Sequence, residues 1–178
     1  MALARSVLDF IDRRDRGIMH RVHRWRAPRW VRFWMLFVTR LGDGWLWYAL
    51  GLVLLFFGGN EGLRAVVAAG TASLAGILVF RVLKTTSRRK RPCHIEPHCW
   101  ATILPPDQFS FPSGHTITSF AIAVCIAHFY PISLAYLLFI AASIALSRII
   151  LGMHFLSDVL AGALLGVGLA YASLALLA

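Results

Sequence analysis

The chain has 178 residues, 58% of them hydrophobic and only 15% charged, with a mean hydropathy of +0.69. A soluble domain carries about a quarter charged residues, and disorder needs low hydrophobicity with high net charge; both classes are excluded. Eighteen Lys and Arg against eight Asp and Glu leave a net charge of +10. Beside membrane spans, that balance favours anionic lipid or a phosphorylated substrate over nucleic acid.

Residues 1–29 interleave Leu3, Val7, Leu8, Phe10, Ile11, Ile18 and Val22 with eight Arg, and Trp25 stands near the end. The pattern predicts an amphipathic helix lying in the headgroup region. Asp9 and Asp12 interrupt its apolar run, so no secretory leader is expected. Segment 30–41 is apolar but too short to cross and carries Arg32 and Arg40, which predicts a second interfacial helix. The chain thus divides into an interfacial segment, 1–42, and a membrane domain, 43–178. Gly42-Asp43-Gly44 reads as a turn, with Asp43 a cap for the helix that follows.

Five spans are expected next, at about 45–57, 63–83, 115–129, 131–150 and 155–178. Trp45, Trp47 and Tyr48 read as interfacial anchors of the first. Gly162 and Gly166, with Ala161 and Gly168 nearby, suit close helix packing in the last. The predicted fold is an all-α polytopic membrane bundle of about five transmembrane helices preceded by interfacial helices.

Counting spans puts loop 84–111 and junction 148–154 on one face. That face collects Lys84, Arg88, Arg89, Lys90 and Arg91, then Pro112-Ser113-Gly114-His115, then Arg148 and His154. Asp158 follows His154 by four residues, one helical turn. Singly, these signals have ordinary explanations. A basic cluster after a span usually sets topology or holds lipid, Ser-Gly after Pro is commonly a cap, and a His-x-x-x-Asp pair can be an internal hydrogen bond.

Together they share a chemistry. Three cations suit a dianionic phosphate, and a helix opening at Ser113-Gly114 offers backbone N–H groups to its oxygens. One histidine can attack phosphorus while the other protonates the leaving oxygen. A carboxylate one turn from His154 can fix its tautomer. There is no Gly-rich nucleotide loop and no carboxylate cluster for magnesium, so neither metal nor cofactor is expected.

Lys84-TTSRRK-Arg91-Pro92, Pro112-Ser113-Gly114-His115 and Ser147-Arg148-IILGM-His154-FLS-Asp158 resemble, in order, three motifs of the type-2 phosphatidic acid phosphatase family: K-x6-R-P, P-S-G-H and S-R-x5-H-x3-D. The resemblance covers about residues 40–178. It implies metal-independent hydrolysis of a phosphoester or diphosphate through a phosphohistidine. On the matching positions, His154 is the implied nucleophile, Asp158 its orienting partner and His115 the general acid. Lys84, Arg91, Arg148, Ser113 and Gly114 would bind phosphate oxygens. Soluble relatives of this pocket bind vanadate as haloperoxidases. The family's usual first span has no counterpart here; the basic interfacial segment stands in its place.

A phosphotransferase using the same histidine and a non-enzymatic phospholipid-binding scaffold are the alternative readings. The implied substrate is a membrane lipid with a terminal phosphate, of the phosphatidic acid, phosphatidylglycerophosphate or polyprenyl diphosphate type. The expected location is a bacterial inner membrane. Seventeen of the eighteen Lys and Arg fall on the active face and only Arg64 opposite it, which points that face to the cytoplasm. In the loop, Cys93 and Cys99 are spaced for a disulfide, for two free thiols or, with His94 and His98, for a zinc site.

Overall fold

The computed structural model describes residues 2–95 and 107–177. Eight α-helices account for most of them: α1 (Ala2–Arg24), α2 (Arg29–Leu41), α3 (Trp45–Phe57), α4 (Gly59–Ser87), α5 (Pro92–Ile95), α6 (Gly114–Phe129), α7 (Leu134–Ile150) and α8 (Leu156–Leu177). A 3-10 turn at Pro131–Ser133 leads into α7. Among the described residues there is no strand, only one bridge between Lys90 and Phe109.

Every segment expected to span is helical, but not all are alike. Gly59–Ser87, Pro131–Ile150 and Leu156–Leu177 are long and apolar enough to cross a membrane. α3 has 13 residues and joins α2 as a pair bent by 55°. α6 has 16 residues, about 24 Å of rise against a hydrocarbon core of about 30 Å. By length and composition three of the described helices, or four if the bent pair counts as one, reach a full crossing, and α3 and α6 are the short members of the expected all-α membrane bundle, with α6 at its centre.

α6 can sit at the centre because its surface is small. Ala121, Ala123, Cys125 and Ala127 are buried with Thr116, Ile117 and Ser119, and α4, α7 and α8 pack around them. The expected glycine packing on α8 holds at two positions. A Cβ on Gly166 would lie 2.4 Å from the Ile117 carbonyl oxygen, and one on Gly162 2.9 Å from that of Ser113. Gly168 has nothing within 4 Å and takes no part. Without lipid-exposed hydrophobic driving force between helices, such close approach and hydrogen bonds across helices hold the bundle; Ser173 Oγ donates to the Ala68 carbonyl at 2.9 Å.

The N-terminal helices are not appended to this bundle but seated on it. Val31, Met35, Val38 and Thr39 of α2 are buried, and α2 packs along α7. α1 exposes Val7 and Phe10 yet buries Met19 against Ala145, Ile149 and Phe155.

Candidate active site

The three sequence motifs meet at one end of the bundle. α4 runs on to Ser87, so Lys84 stands on its last turn rather than in a loop. Arg88 then takes a left-handed conformation, φ 48°, that stops the helix and sends 89–91 across the bundle end. There Lys90 bridges Phe109, Ser110 N–H donates to the Arg89 carbonyl at 2.8 Å, and Cys93 N–H donates to the Gly152 carbonyl at 3.1 Å.

The x5 spacing between Arg148 and His154 has a clear structural use. α7 ends at Ile150, and Gly152, with φ +68°, turns the chain back through a conformation that L side chains rarely adopt. The N–H groups of Met153 and His154 then both donate to the Arg148 carbonyl at 3.0 Å. Arg148 and His154 are thereby fixed side by side, and α8 begins two residues later with Asp158 in its first turn.

His154 is 1% exposed. Arg91 Nη1 lies 3.0 Å from its Nε2 and also donates to the Met153 carbonyl at 2.9 Å. An arginine only donates, so Nε2 carries the lone pair and the ring proton belongs on Nδ1. Nδ1 faces Asp158 Oδ2 at 3.7 Å. Burial holds the His154 pKa well below the ordinary histidine value, and the charges of Arg91, Arg148 and Lys84 lower it further. The imidazole is neutral, with its Nε2 lone pair accepting from Arg91.

Arg148 is 4% exposed; its Nη1 donates to Thr39 Oγ1 at 2.6 Å, and its Nε has no protein partner. A buried guanidinium N–H without an acceptor is costly, and an oxyanion ligand would satisfy it. Ser113 caps α6 from an extended backbone conformation. Its N–H is spent on the Asp158 carbonyl at 3.1 Å and its Oγ accepts from Thr116 at 2.9 Å. Of the two expected donors at this helix start, Gly114 is the one whose N–H lies ahead of the first intrahelical bond, which Ile117 makes to Ser113.

Several residues enter the site that the motifs do not contain. Asp43 does not cap α3, whose N-cap is Gly44 without a side-chain hydrogen bond; its Oδ1 instead lies 2.8 Å from His115 Nε2. Asp107 spans two of the cations, accepting from Lys84 Nζ at 2.6 Å and from Arg91 Nη2 at 2.8 Å. Burial pushes its carboxyl up, but these two bonds and charges outweigh it, and its pKa is lowered. Thr39 and Asp43 stand at the end of the N-terminal region, far from the motifs in sequence. A carboxylate in a basic loop was the only local signal for Asp107. His98 and Cys99 lie outside the described residues, and the disulfide and zinc readings with them.

A groove of about 550 Å3 lies between α3, α4 and α6. Asp43, the partner of His115, and Gly44 line it together with Trp47, Leu52, Leu55, Ala69, Ile77 and Ile122.

A helical membrane bundle with three cations gathered around a neutral histidine defines a class, and the comparisons agree. The PAP2 superfamily model matches residues 65–178, and the chain belongs to that family. A decaprenylphosphoryl-5-phosphoribose phosphatase of Mycobacterium tuberculosis (strain ATCC 25618 / H37Rv) is 36% identical over 124 residues, covering 69% of this chain and 66% of that one, so the match spans just under two thirds of the relative. The crystal structure of Aquifex aeolicus LpxE superposes with a TM-score of 0.73 at 28% identity, over 89% of this chain and 93% of the other. That of a transmembrane PAP2 type phosphatidylglycerolphosphate phosphatase from Bacillus subtilis does so with a TM-score of 0.71 at 25% identity, over 93% and 85%. The chain is an integral membrane protein of this family.

Proposed function

We propose that this protein is a membrane lipid phosphatase that cleaves a terminal phosphate through a phosphohistidine on His154. The observation that carries the reading is the setting of His154: Nε2 presented beside Arg91, and Nδ1 turned to Asp158. The similarity to phosphatases named for decaprenylphosphoryl-5-phosphoribose and phosphatidylglycerolphosphate supports a lipid phosphate as substrate class.

In this reading the phosphate binds between Lys84, Arg91 and Arg148, displacing the Asp107 carboxylate, with the Gly114 N–H and the Ser113 hydroxyl near its oxygens. Arg91 Nη1 moves from Nε2 to a phosphate oxygen, the released Nε2 lone pair attacks phosphorus, the P–O bond to the lipid breaks, and His115 gives its proton to the departing oxygen. Positive charge on the imidazole is met by Asp158. Water then attacks phosphorus and loses a proton to His115, and the P–Nε2 bond breaks to release inorganic phosphate and neutral His154. The three cations supply the charge stabilisation that the transferring phosphoryl group requires. The apolar groove beside Asp43 takes the lipid chain, so that the leaving oxygen lies on the His115 side.

Residues 1–42 lie at the interface on the active face, because α1 and α2 seat on the same end of the bundle as His154. The distribution of Lys and Arg supports a cytoplasmic orientation of that face, in the reading of a bacterial inner membrane protein. A phosphate-release panel over phosphatidic acid, phosphatidylglycerophosphate and a polyprenyl diphosphate tests the activity, and no release from any of them overturns it. Labelling of a single cysteine at Gln108, in a Cys-free background, with an impermeant reagent on intact cells tests the orientation; strong labelling overturns the cytoplasmic placement.

A further inference from the structure

Behind the reactive pair lies a second charged cluster that none of the three motifs accounts for. Arg89 is its hub. Its Nη1 donates to Asp158 Oδ1 and to Ser157 Oγ, each at 2.7 Å, and its Nη2 donates to Asp12 Oδ1 and Asp15 Oδ2, again at 2.7 Å. Asp12 and Asp15 belong to α1, more than 70 residues away in the chain. Asp15 is 4% exposed, accepts the Ser157 N–H at 3.1 Å and also accepts from the Ser157 hydroxyl. Arg89 further stacks over the Phe155 ring, 4.4 Å from its centroid.

Each carboxylate oxygen of Asp158 has its own task. Oδ1 takes the Arg89 guanidinium; Oδ2 takes the Phe155 N–H at 2.8 Å and faces His154 Nδ1. A carboxylate buried to this extent needs both a countercharge and fixed donors to stay ionised and in place. Arg89 provides the countercharge, and its planar fork fixes the direction in a way a lysine ammonium does not. Arg89 is in turn held from the other side by α1.

We infer that Arg89 and Asp15 are positioning residues for the hydrolysis: they hold Asp158 in the orientation that keeps the His154 lone pair aimed at phosphorus, and through them the N-terminal helix is part of the active site. This rests on the phosphohistidine reading above. The seating of α1 on the bundle end is thereby coupled to turnover, although no α1 side chain touches the substrate phosphate in that reading.

The charged groups around each partner decide what a pH profile shows. Arg89 is faced by Asp12 and Asp15 from α1 and by Asp158 from α8. Burial opposes its charge, and Asp158 and Asp15 outweigh burial, leaving its pKa above the ordinary arginine value. His154 is faced by Arg91, Arg148, Lys84 and His115 on one side and by Asp158 on the other. With Arg89 gone, Asp158 is neutralised by His154 alone, which favours the protonated ring.

The test compares Arg89→Lys, Arg89→Gln and Asp15→Asn in the full-length protein, in detergent and in vesicles, with His154→Ala alongside. Expected are a kcat reduced on the order of 10- to 100-fold for Arg89→Gln with KM changed less than threefold, a smaller kcat loss for Arg89→Lys and Asp15→Asn, and an acid limb of kcat/KM moved to higher pH in Arg89→Gln. Wild-type kcat and an unmoved acid limb in both Arg89 variants overturn the inference, as does a loss confined to the melting temperature. If Arg89→Gln does not fold, Arg89→Lys and Asp15→Asn carry the same comparison. An active His154→Ala sinks the phosphohistidine reading itself; an inactive His154→Ala beside wild-type-like Arg89 variants sinks only the positioning role.

Discussion

The two histidines of the site differ in burial and in partners. His154 is buried on a short loop between α7 and α8, with Arg91 on one ring nitrogen and Asp158 facing the other. His115 is on the first turn of α6, its side chain 27% exposed, with Asp43 as partner, itself 47% exposed and a lining residue of the apolar groove. A nucleophile must present one lone pair at one angle, so it is held rigidly and kept neutral. A general acid must meet a leaving group and exchange protons with water, so it stands where lipid and solvent reach it. The difference between the two environments is the physical basis for assigning different roles to the same residue type.

The sharpest way to break that contrast is to remove each ring. His154→Ala should lose about 10⁴-fold or more in kcat, because in the proposed reaction its Nε2 is the group that attacks phosphorus. Acid-quenched labelling with a radioactive lipid phosphate should give a phosphoprotein in the wild type and none in this variant. His115→Ala should lose about 10²- to 10⁴-fold on a lipid alkoxide leaving group and much less on a nitrophenolate. Equal losses on both leaving groups would make His115 something other than the acid. Asp43→Asn should follow the same leaving-group pattern with a smaller loss, since it acts through the ring.

The pH profile sharpens the comparison further. The reactive form of His154 is neutral, and burial with three neighbouring cations lowers its pKa well below the ordinary value. The neutral form therefore persists to lower pH. After correction for the substrate phosphate's own ionisation near about 6, kcat/KM should hold its acid-side value below the free-histidine pKa of about 6.5. An acid limb at or above that value would contradict the environment described for His154.

Two smaller effects concern the cations. The Asp107 carboxylate occupies Lys84 and Arg91, the groups that the phosphate is proposed to take. Asp107→Asn should lower the inhibition constant of inorganic phosphate or vanadate several-fold by removing a competitor; a raised constant would mean that Asp107 serves to orient the cations instead. Treatment with EDTA should leave the rate unchanged, because Lys84, Arg91 and Arg148 supply the positive charge. Loss of activity in EDTA with recovery on adding magnesium would overturn that.

How much of this was legible along the chain depends on the range of the interactions. The spans could be read because burial in lipid requires apolar residues within one continuous segment. Their lengths could not: whether 13 residues of α3 cross alone or continue a bent pair depends on the packing of α2 against α7. Asp158 does face His154, but not through helical spacing: His154 lies on the loop before α8 and Asp158 in that helix's first turn, while the turn at Gly152 ties Arg148 to His154. Asp43 was misread as a cap because a turn followed by an apolar helix is the usual setting for one.

The positions of Lys84, Arg91, Ser113, Gly114, His115, Arg148, His154 and Asp158 in the motifs followed from sequence, since each motif lies within a few turns of one helix end. Their common face followed from counting crossings. The tertiary structure alone decided which carboxylate serves which cation. Asp43 reaches His115 across 72 residues, Asp107 meets Lys84 across 23, and Asp15 reaches Arg89 across 74. No local pattern encodes such pairings. Burial makes an unpaired charge expensive, and the packing of helices distant in sequence then sets which opposite charge is near enough to satisfy it.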